Sequence, residues 1–363
     1  MIIYTLLNLS HGIFVKWRIV LKIRFGVMSG VDASIEETVQ SVRKLERIGL
    51  DSAWFADHLV TLDRRDRCLD PWPIVATLAS YTKRIRFGSM VTDPFRRHPA
   101  VFAQTLATID WITGGRLDLG IGAGEAMNVA PFNIPWNHRA KRLEEFVQVL
   151  RMLWEDEAVN FAGDFFKLDR AFIQALPVQR GGVPIYIAAN SPFTRKIAGR
   201  LGNGWIAEMM SPEMYRRDLK EFSRAVEEAD RSISDIDIVY HVFCAISKDR
   251  EEAKAQANGM VKMQFTWWPK QLERYGYKIS NHCDWNHLVV GEDSFTESQK
   301  LSLAVPEKIA DLVTISGNVD ECIGKIEEYI AAGVTHFGFS IPDCKDETLE
   351  ALGERVIPYF KKQ

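Results

Sequence analysis

The chain is predicted to be an α/β protein, a (β/α)8 TIM barrel with an insertion before its last unit. Three observations carry that prediction. Short apolar runs rich in β-branched and aromatic residues alternate with longer segments of helical period, the runs number eight, and no composition shift or linker divides the 363 residues. Alternation of strand and helix implies parallel pairing, and eight units fit closure into a barrel. A doubly wound open sheet is the competing α/β arrangement.

Residues 1–21 are apolar but carry Asn8, His11, Lys16 and Arg18. A spanning helix needs about 20 predominantly apolar residues, and no small-residue cleavage site follows. The segment reads as a loosely ordered extension, or as a reading frame begun upstream of the natural start. From residue 22 to 363 the chain reads as one domain. The expected strands are Ile23–Val27, Ser52–Ala56, Ile85–Met90, Leu117–Ile121, Pro184–Ala188, Gly204–Ala207, Ile236–Cys244 and His336–Ser340. Between them, Ile35–Ile48 gathers Ile35, Val39, Val42, Leu45 and Ile48 on one helical face, and Arg139–Trp154 gathers Leu143, Phe146, Val147, Leu150 and Leu153. Ser34 followed by Glu37 marks a capping box. Val159–Leu168, with its Gly163-Asp164 turn, predicts an appended hairpin. Phe265–Val305 is polar, aromatic and aperiodic, and reads as an insertion: a lid, or an excursion packed outside the barrel.

Composition narrows the function. Hydrophobic residues make up 47% and charged residues 26%, enough for a large core, and a net charge of −3 supplies no basic field for nucleic acid or an anionic membrane. Arg64-Arg65 and Arg96-Arg97 are only short local runs. Five cysteines, an odd number without a CxxC, argue against a disulfide framework and for a reducing, cytoplasmic setting. The His282-Cys283 and His287 cluster lacks the paired spacing of a structural zinc site, so no metal is expected.

In a barrel, catalytic groups come from the C-terminal strand ends and the loops that follow. Strand 2 ends in Asp57-His58, an acid and an imidazole able to orient one another for proton transfer. Strand 4 runs into Gly120, Gly122 and Gly124, which clear room for a flat ligand on the backbone, and then Glu125. The spacing is not the GxGxxG of a dinucleotide fold. Strand 5 ends Ala189-Asn190-Ser191-Pro192 at a helix start, which serves as a phosphate cradle or simply as a good N-cap with proline at N1. No Ser-His-Asp order, HExxH motif or Walker loop stands out. The residues thus describe a barrel enzyme with an acid/base pair and room for a flat, phosphorylated ligand.

At these same segments the chain resembles a known family. GLDSAWFADHL (Gly49–Leu59), RIRFGSMVTDPFRRHPAVFAQTLATIDWITGGRLDLGIGAGEAMN (Arg84–Asn128) and VPIYIAANSPFTRKIAGRLGNGWI (Val183–Ile206) resemble the bacterial-luciferase-like oxidoreductases. The resemblance is greatest to the branch using the deazaflavin coenzyme F-420, which includes methylenetetrahydromethanopterin reductases, secondary-alcohol and glucose-6-phosphate dehydrogenases, and phthiodiolone-type ketoreductases. It implies that His58 and Glu125 are the proton donor and active-site acid, with Asp57 beside the ring. It implies a non-prolyl cis peptide at Met90-Val91 behind the deazaflavin, contacts from Thr92 and Asn128, and a phosphate loop at Ala189, Asn190 and Ser191. Homodimers through helices near strands 3 and 4 are a further implication.

Three positions depart from the family's patterns. Leu62 replaces the tryptophan of the sugar-phosphate dehydrogenases, Ser211 replaces their phosphate-binding lysine, and Met28 stands where methanopterin reductases often carry an acid. Glucose 6-phosphate is therefore a poor substrate expectation. The implied reaction is hydride transfer between the deazaflavin and a carbonyl, alcohol or pterin imine carbon. An FMN-dependent monooxygenase and a non-catalytic flavin-binding barrel are the alternatives.

Overall fold

The structure, a computed structural model, describes residues 2–9, 12–19, 23–63, 67–155, 157–280, 290–342 and 346–362, the first two stretches by backbone alone. Arg64-Arg65, Cys344 and the His282-Cys283-His287 cluster lie outside them. In chain order the strands are β1 (Ile2–Leu9), β2 (Gly12–Ile19), β3 (Arg24–Met28), β4 (Ser52–Phe55), β5 (Arg86–Ser89), β6 (Leu117–Ile121), β7 (Val159–Ala162), β8 (Lys167–Ala171), β9 (Ile185–Ala188), β10 (Gly204–Glu208), β11 (Asp237–Ile246), β12 (Ile315–Gly317) and β13 (His336–Ser340).

β3, β4, β5, β6, β9, β10, β11 and β13 pair in parallel, and the β10–β11 ladder closes the ring. All eight expected barrel strands occur within a few residues of their expected bounds, and closure rules out the open sheet. The three-residue β12 extends the top of β11 and has no counterpart in the sequence reading. β7 and β8 form the expected hairpin. In the first segment β1 and β2 form an antiparallel sheet of their own, Ile2 opposite Ile19. Its apolar residues do not alternate strictly, so the pattern hides the strands.

The main helices are α1 (Ile35–Arg47), α2 (Pro71–Ala79), α3 (Pro99–Thr113), α4 (Arg139–Leu153), α5 (Pro192–Leu201), α6 (Pro212–Glu227), α7 (Arg250–Trp267), α8 (Pro269–Glu273), α9 (Ser294–Ser302), α10 (Glu307–Val313) and α11 (Val319–Ala331). Their ends follow local chemistry. Ser34 accepts the Glu37 N–H at 3.1 Å, acids open α1 and bases close it, and its inner face buries Val39, Val42 and Leu45. The described residues of the expected Phe265–Val305 loop include helix: Phe265 to Trp267 end α7, and α8 and α9 follow. The segment has a small core of its own, with Phe265, Leu272 and Val305 packed against Val261, Ile309 and Val313. Helices this short, folded over a private core, leave no long amphipathic stripe in the sequence.

Strand alternation sorts the barrel interior into layers. In the middle, Trp54 lies edge-on to Tyr186 and packs with Met90, Ile206 and Val239. Gly88 faces its ring so closely that an added Cβ would sit 2.4 Å from it. Below lies a polar layer. The Trp54 indole donates to Ser52 Oγ at 2.9 Å, Ser52 Oγ meets His336 Nε2 at 2.9 Å, and His336 Nδ1 meets Asp237 at 2.8 Å. Arg24 pairs with the same Asp237. Burial by itself raises the Asp237 carboxyl, but the His336 ring and Arg24 guanidinium outweigh it and hold it well below its ordinary value.

A folded-state pKa depressed below an unfolded value near 3.8 contributes stability above that value, and this stability disappears as pH falls through the range beneath it. Asp237→Asn is expected to cost about 3 kcal/mol at neutral pH by leaving Arg24 and His336 unpaired in the interior. Urea denaturation from pH 7 to pH 2 is expected to show a smaller acid-induced loss in the variant than in the parent chain.

Candidate active site

The C-terminal ends of the barrel strands surround a cavity of about 1250 Å³. Asp57, His58, Met90, Val91, Thr92, Glu125, Asn128, Asn190 and Ser191 all line it, so the structure gathers nine of the ten expected site residues. Ala189 is the exception. Its side chain is buried, its N–H donates to Ile206 in the ladder, and its carbonyl accepts the Trp205 indole.

The cavity floor comes from the end of β5, where Met90-Val91 is a cis peptide, as the resemblance implies. The glycines of β6 serve this segment. An added Cβ on Gly120 would lie 1.9 Å from the Ser89 carbonyl oxygen, and one on Gly122 would lie 2.9 Å from the Val91 side chain. The expectation that a ligand lies directly on Gly120 is therefore corrected, because the neighbouring strand occupies that space. Thr92 then rejoins the sheet, its N–H to Gly120 and its carbonyl to Gly122, both at 2.9 Å.

On the next strand, His58 Nε2 stands 3.3 Å from Glu125 Oε2, with both side chains about one-quarter exposed. Asn128 organises this pair. Its Oδ1 accepts the Leu59 and Val60 N–H groups at 2.7 and 3.1 Å, and its Nδ2 donates to Glu125 Oε2 at 3.1 Å. The amide ties the loop after β4 to the acid after β6, so Asn128 acts through the protein rather than as a free ligand-binding group.

Asp57 departs from expectation. It does not orient the imidazole: one oxygen meets Arg96 at 3.1 Å, and the other accepts from Thr92, Trp72 and Arg97 at 2.6, 3.1 and 2.8 Å. Burial tends to raise this carboxyl, yet the two guanidiniums and the hydrogen bonds hold it below the usual range. Held by two guanidiniums, a hydroxyl and an indole, it braces the loops after β4 and β5. His58 Nδ1, by contrast, is buried with no hydrogen-bond partner among the described residues.

At the tip of β9, Ser191 is both N-cap and half of a complete capping box with Thr194, at 3.2 and 3.3 Å. The N-cap alternative is thus realised at its hydroxyl and N–H. Two further buried polar atoms here have no hydrogen-bond partner among the described residues: Asn190 Oδ1 and Arg195 Nε, the latter on a side chain otherwise held by Asp218 and Glu221. Three orphaned atoms on one cavity are the mark of a site built for a polar ligand.

The opposite wall escaped the sequence reading. Glu208 ends β10 and His241 lies on β11, their backbones in register and their side chains 3.0 Å apart. Ser340 Oγ reaches the other ring nitrogen at 2.8 Å, and Gln264 of α7 donates to Glu208 at 2.9 Å. The signal was strand alternation: 204, 206 and 208, like 237, 239 and 241, point inward. The expected strand stopped at Ala207, one residue short. Beyond Glu208, Met209 has φ +53°, and tyrosines grip the turn. Tyr275 bonds the Met209 carbonyl and the Ser211 N–H, while Tyr240 and Tyr329 both donate to the Met210 carbonyl. Burial pushes Tyr275 up to about 12, so it stays a donor at neutral pH.

A closed parallel barrel with an acid, an imidazole and a glycine-accommodated bulge at its mouth is the architecture of a known enzyme class. The model described as luciferase-like monooxygenase matches residues 15–336, and the chain belongs to that family. It is 32% identical over 348 residues to an F420-dependent glucose-6-phosphate dehydrogenase of Amycolatopsis mediterranei, covering 92% of this chain and 98% of that one. It is 29% identical to a 5,10-methylenetetrahydromethanopterin reductase of Archaeoglobus fulgidus, covering 93% and 100%. Among solved structures, an F420-dependent secondary alcohol dehydrogenase in complex with an F420-acetone adduct superposes with a TM-score of 0.78 at 25% identity, covering 93% of this chain and 99% of that one.

The two acids at the strand tips are expected to respond differently to neutralisation. Asp57→Asn strands the Arg96 and Arg97 guanidiniums and is expected to cost about 3–5 kcal/mol in chemical denaturation. Glu125→Gln, partly exposed and still able to accept from Asn128, is expected to cost less than about 1 kcal/mol.

Proposed function

We propose that this chain is a coenzyme F-420-dependent oxidoreductase that transfers a hydride between the deazaflavin and a carbonyl, alcohol or imine carbon. The observation that carries the reading is the His58–Glu125 pair on a cavity that also holds the Met90–Val91 bulge and three unpartnered polar atoms. The relatives that cover nearly the whole chain support it. The cavity volume of about 1250 Å³ exceeds the several hundred Å³ that one small molecule fills, leaving space for a cofactor and a substrate side by side.

The residues present fit the group. Met90 and Val91 offer an apolar surface for a flat ring, and Asn190 Oδ1 and Arg195 Nε await an acceptor's and a donor's complement along a polar side chain. When bound, coenzyme F-420 supplies a two-electron hydride carrier that does not readily activate oxygen. His58 Nε2 and Glu125 Oε2 hold the proton that enters or leaves the substrate heteroatom. Asn128 fixes both partners, and Asp57 keeps the loop between them rigid by anchoring Arg96 and Arg97. Trp267 and Trp268, from the start of the 265–305 segment, exclude water from the mouth. Leu62 is buried and Ser211 caps α6, so neither offers the contacts expected for a sugar phosphate.

The same proposal includes a homodimer and a cytoplasmic setting. α3 leaves Val101, Trp111 and Ile112 exposed, with Phe172 also exposed after β8, an apolar group that a second copy would cover. Among the described residues Cys244 and Cys322 are buried free thiols, in keeping with a reducing compartment. Trp111→Glu is expected to convert a dimer to monomers in light scattering after gel filtration.

Titration with coenzyme F-420 and FMN in parallel tests the cofactor. Micromolar or tighter binding of the deazaflavin alone is expected, and preference for FMN would overturn the reading in favour of a monooxygenase. His58→Ala and Glu125→Gln are expected to lower kcat by about 10²–10⁴-fold with little change in cofactor affinity. Unchanged turnover in both variants would remove His58 and Glu125 from the chemistry, and cofactor binding with no turnover in the parent chain would leave a binding barrel.

A further inference from the structure

We propose that Glu208 is the substrate-recognition acid of this cavity, selecting a neutral or cationic molecule that presents a hydroxyl or amino hydrogen-bond donor and rejecting phosphorylated or carboxylate-bearing ones. The inference deepens the oxidoreductase reading by naming the chemical class of its substrate.

The hydrogen bonds along the wall give the reason. Glu208 Oε2 is saturated, with His241 Nδ1 at 3.0 Å and Gln264 Nε2 at 2.9 Å. Among the described residues its Oε1 has one hydrogen-bond contact, Asn190 Nδ2 at 3.5 Å, the outer limit of a hydrogen bond. The carboxylate is thus fixed by one oxygen and offers the other to the cavity it lines. Both His241 nitrogens are engaged, Nδ1 by Glu208 and Nε2 by Ser340 at 2.8 Å. His241 is therefore a positioning residue, and Glu208 is the group that meets the ligand.

The electrostatics favour one sign. Among the described residues no lysine or arginine forms an ion pair with Glu208; its one such partner is His241. Of the cations lining the cavity, Arg195, Arg217 and Arg274 are bound to Asp218, and Arg139, Lys270 and Lys278 form no ion pair with Glu208. Glu208 is about 84% buried at its side chain, where charges are weakly screened. A ligand anion brought to Oε1 would face a like charge without a counter-ion, which is the repulsive half of specificity. A donor brought there forms a charge-assisted hydrogen bond.

The position also sets the substrate's reach. In the closed ring β10 lies four strands from β4 in either direction. Glu208 therefore stands across the barrel mouth from His58. A substrate whose reacting carbon lies beside His58 and Glu125 meets Glu208 with its far end.

The test uses three probes on one apolar ring: cyclohexylamine, cyclohexanol and cyclohexanecarboxylate, titrated calorimetrically into the protein with and without coenzyme F-420. The amine and alcohol are expected to bind at least about tenfold more tightly than the carboxylate. Glu208→Gln is expected to weaken the amine by about tenfold or more and to erase the discrimination against the anion. Glu208→Asp is expected to keep the order amine over carboxylate. His241→Phe is expected to weaken the amine less than Glu208→Gln and to preserve that order, a result that loss of fold would not give. Thermal midpoints and F-420 dissociation constants of all variants separate loss of fold from loss of recognition. Equal binding of amine and carboxylate, absence of binding by all three probes, or discrimination that survives Glu208→Gln would overturn the proposal. Failure of F-420 to bind, with probe selectivity intact, would instead overturn the cofactor reading alone.

Discussion

The close packing of the β5 tip against the glycines of β6 is the constraint from which the cavity follows. With Gly120 backed by the Ser89 carbonyl and Gly122 by Val91, β5 ends at Ser89 and the Met90-Val91 peptide lies outside the β5–β6 ladder. Thr92 re-enters it through Gly120 and Gly122 and thereby aims its hydroxyl at Asp57. Asp57 in turn gathers Arg96, Arg97 and Trp72, which fixes the loops after β4 and β5. His58 leaves that braced loop toward Glu125. One accommodation between two strands therefore sets the floor of the cavity and the position of its acid/base pair.

Three carboxylates at the barrel mouth illustrate how surroundings assign roles to the same chemical group. Asp57 is enclosed by cations and donors and holds its charge as scaffold. Glu125 is partly exposed and touches an imidazole and an amide. Glu208 is tied by one oxygen and open at the other. Sequence adjacency says little here: Asp57 and His58 are neighbours whose side chains serve separate networks, while His58 and Glu125 are 67 positions apart and in contact.

Much of this was legible in the residues. Eight apolar runs gave the barrel, and their C-terminal ends gave His58 and Glu125, because a parallel barrel fixes which ends converge; the Met90–Thr92 segment came from the family resemblance. What escaped detection has physical reasons. Ala189 sits at the right place in the chain, but its N–H serves the ladder, which strand bounds alone do not reveal. Glu208 and His241 lie on strands whose inward phase becomes certain only once Trp54, Tyr186 and Val239 are seen to fill the axis. The helices within 265–305 pack on a private core, so their periodicity is too short to register. Asp57 was assigned to the imidazole because the arginines that claim it lie about 40 residues downstream.

The three tyrosines around residues 209–211 have a consequence for how such barrels diversify. Tyr240 belongs to the barrel and Tyr329 to the helix before the last strand, whereas Tyr275 comes from the segment between α7 and α10. The turn carrying Glu208 is thus shared property of scaffold and insertion. Exchanging that segment for one of different length replaces more than a cover over the mouth: it removes one of the supports that hold the recognition carboxylate in place. Grafted insertions that retain a phenol at this point keep the parent's wall, and those without it begin from a loosened one.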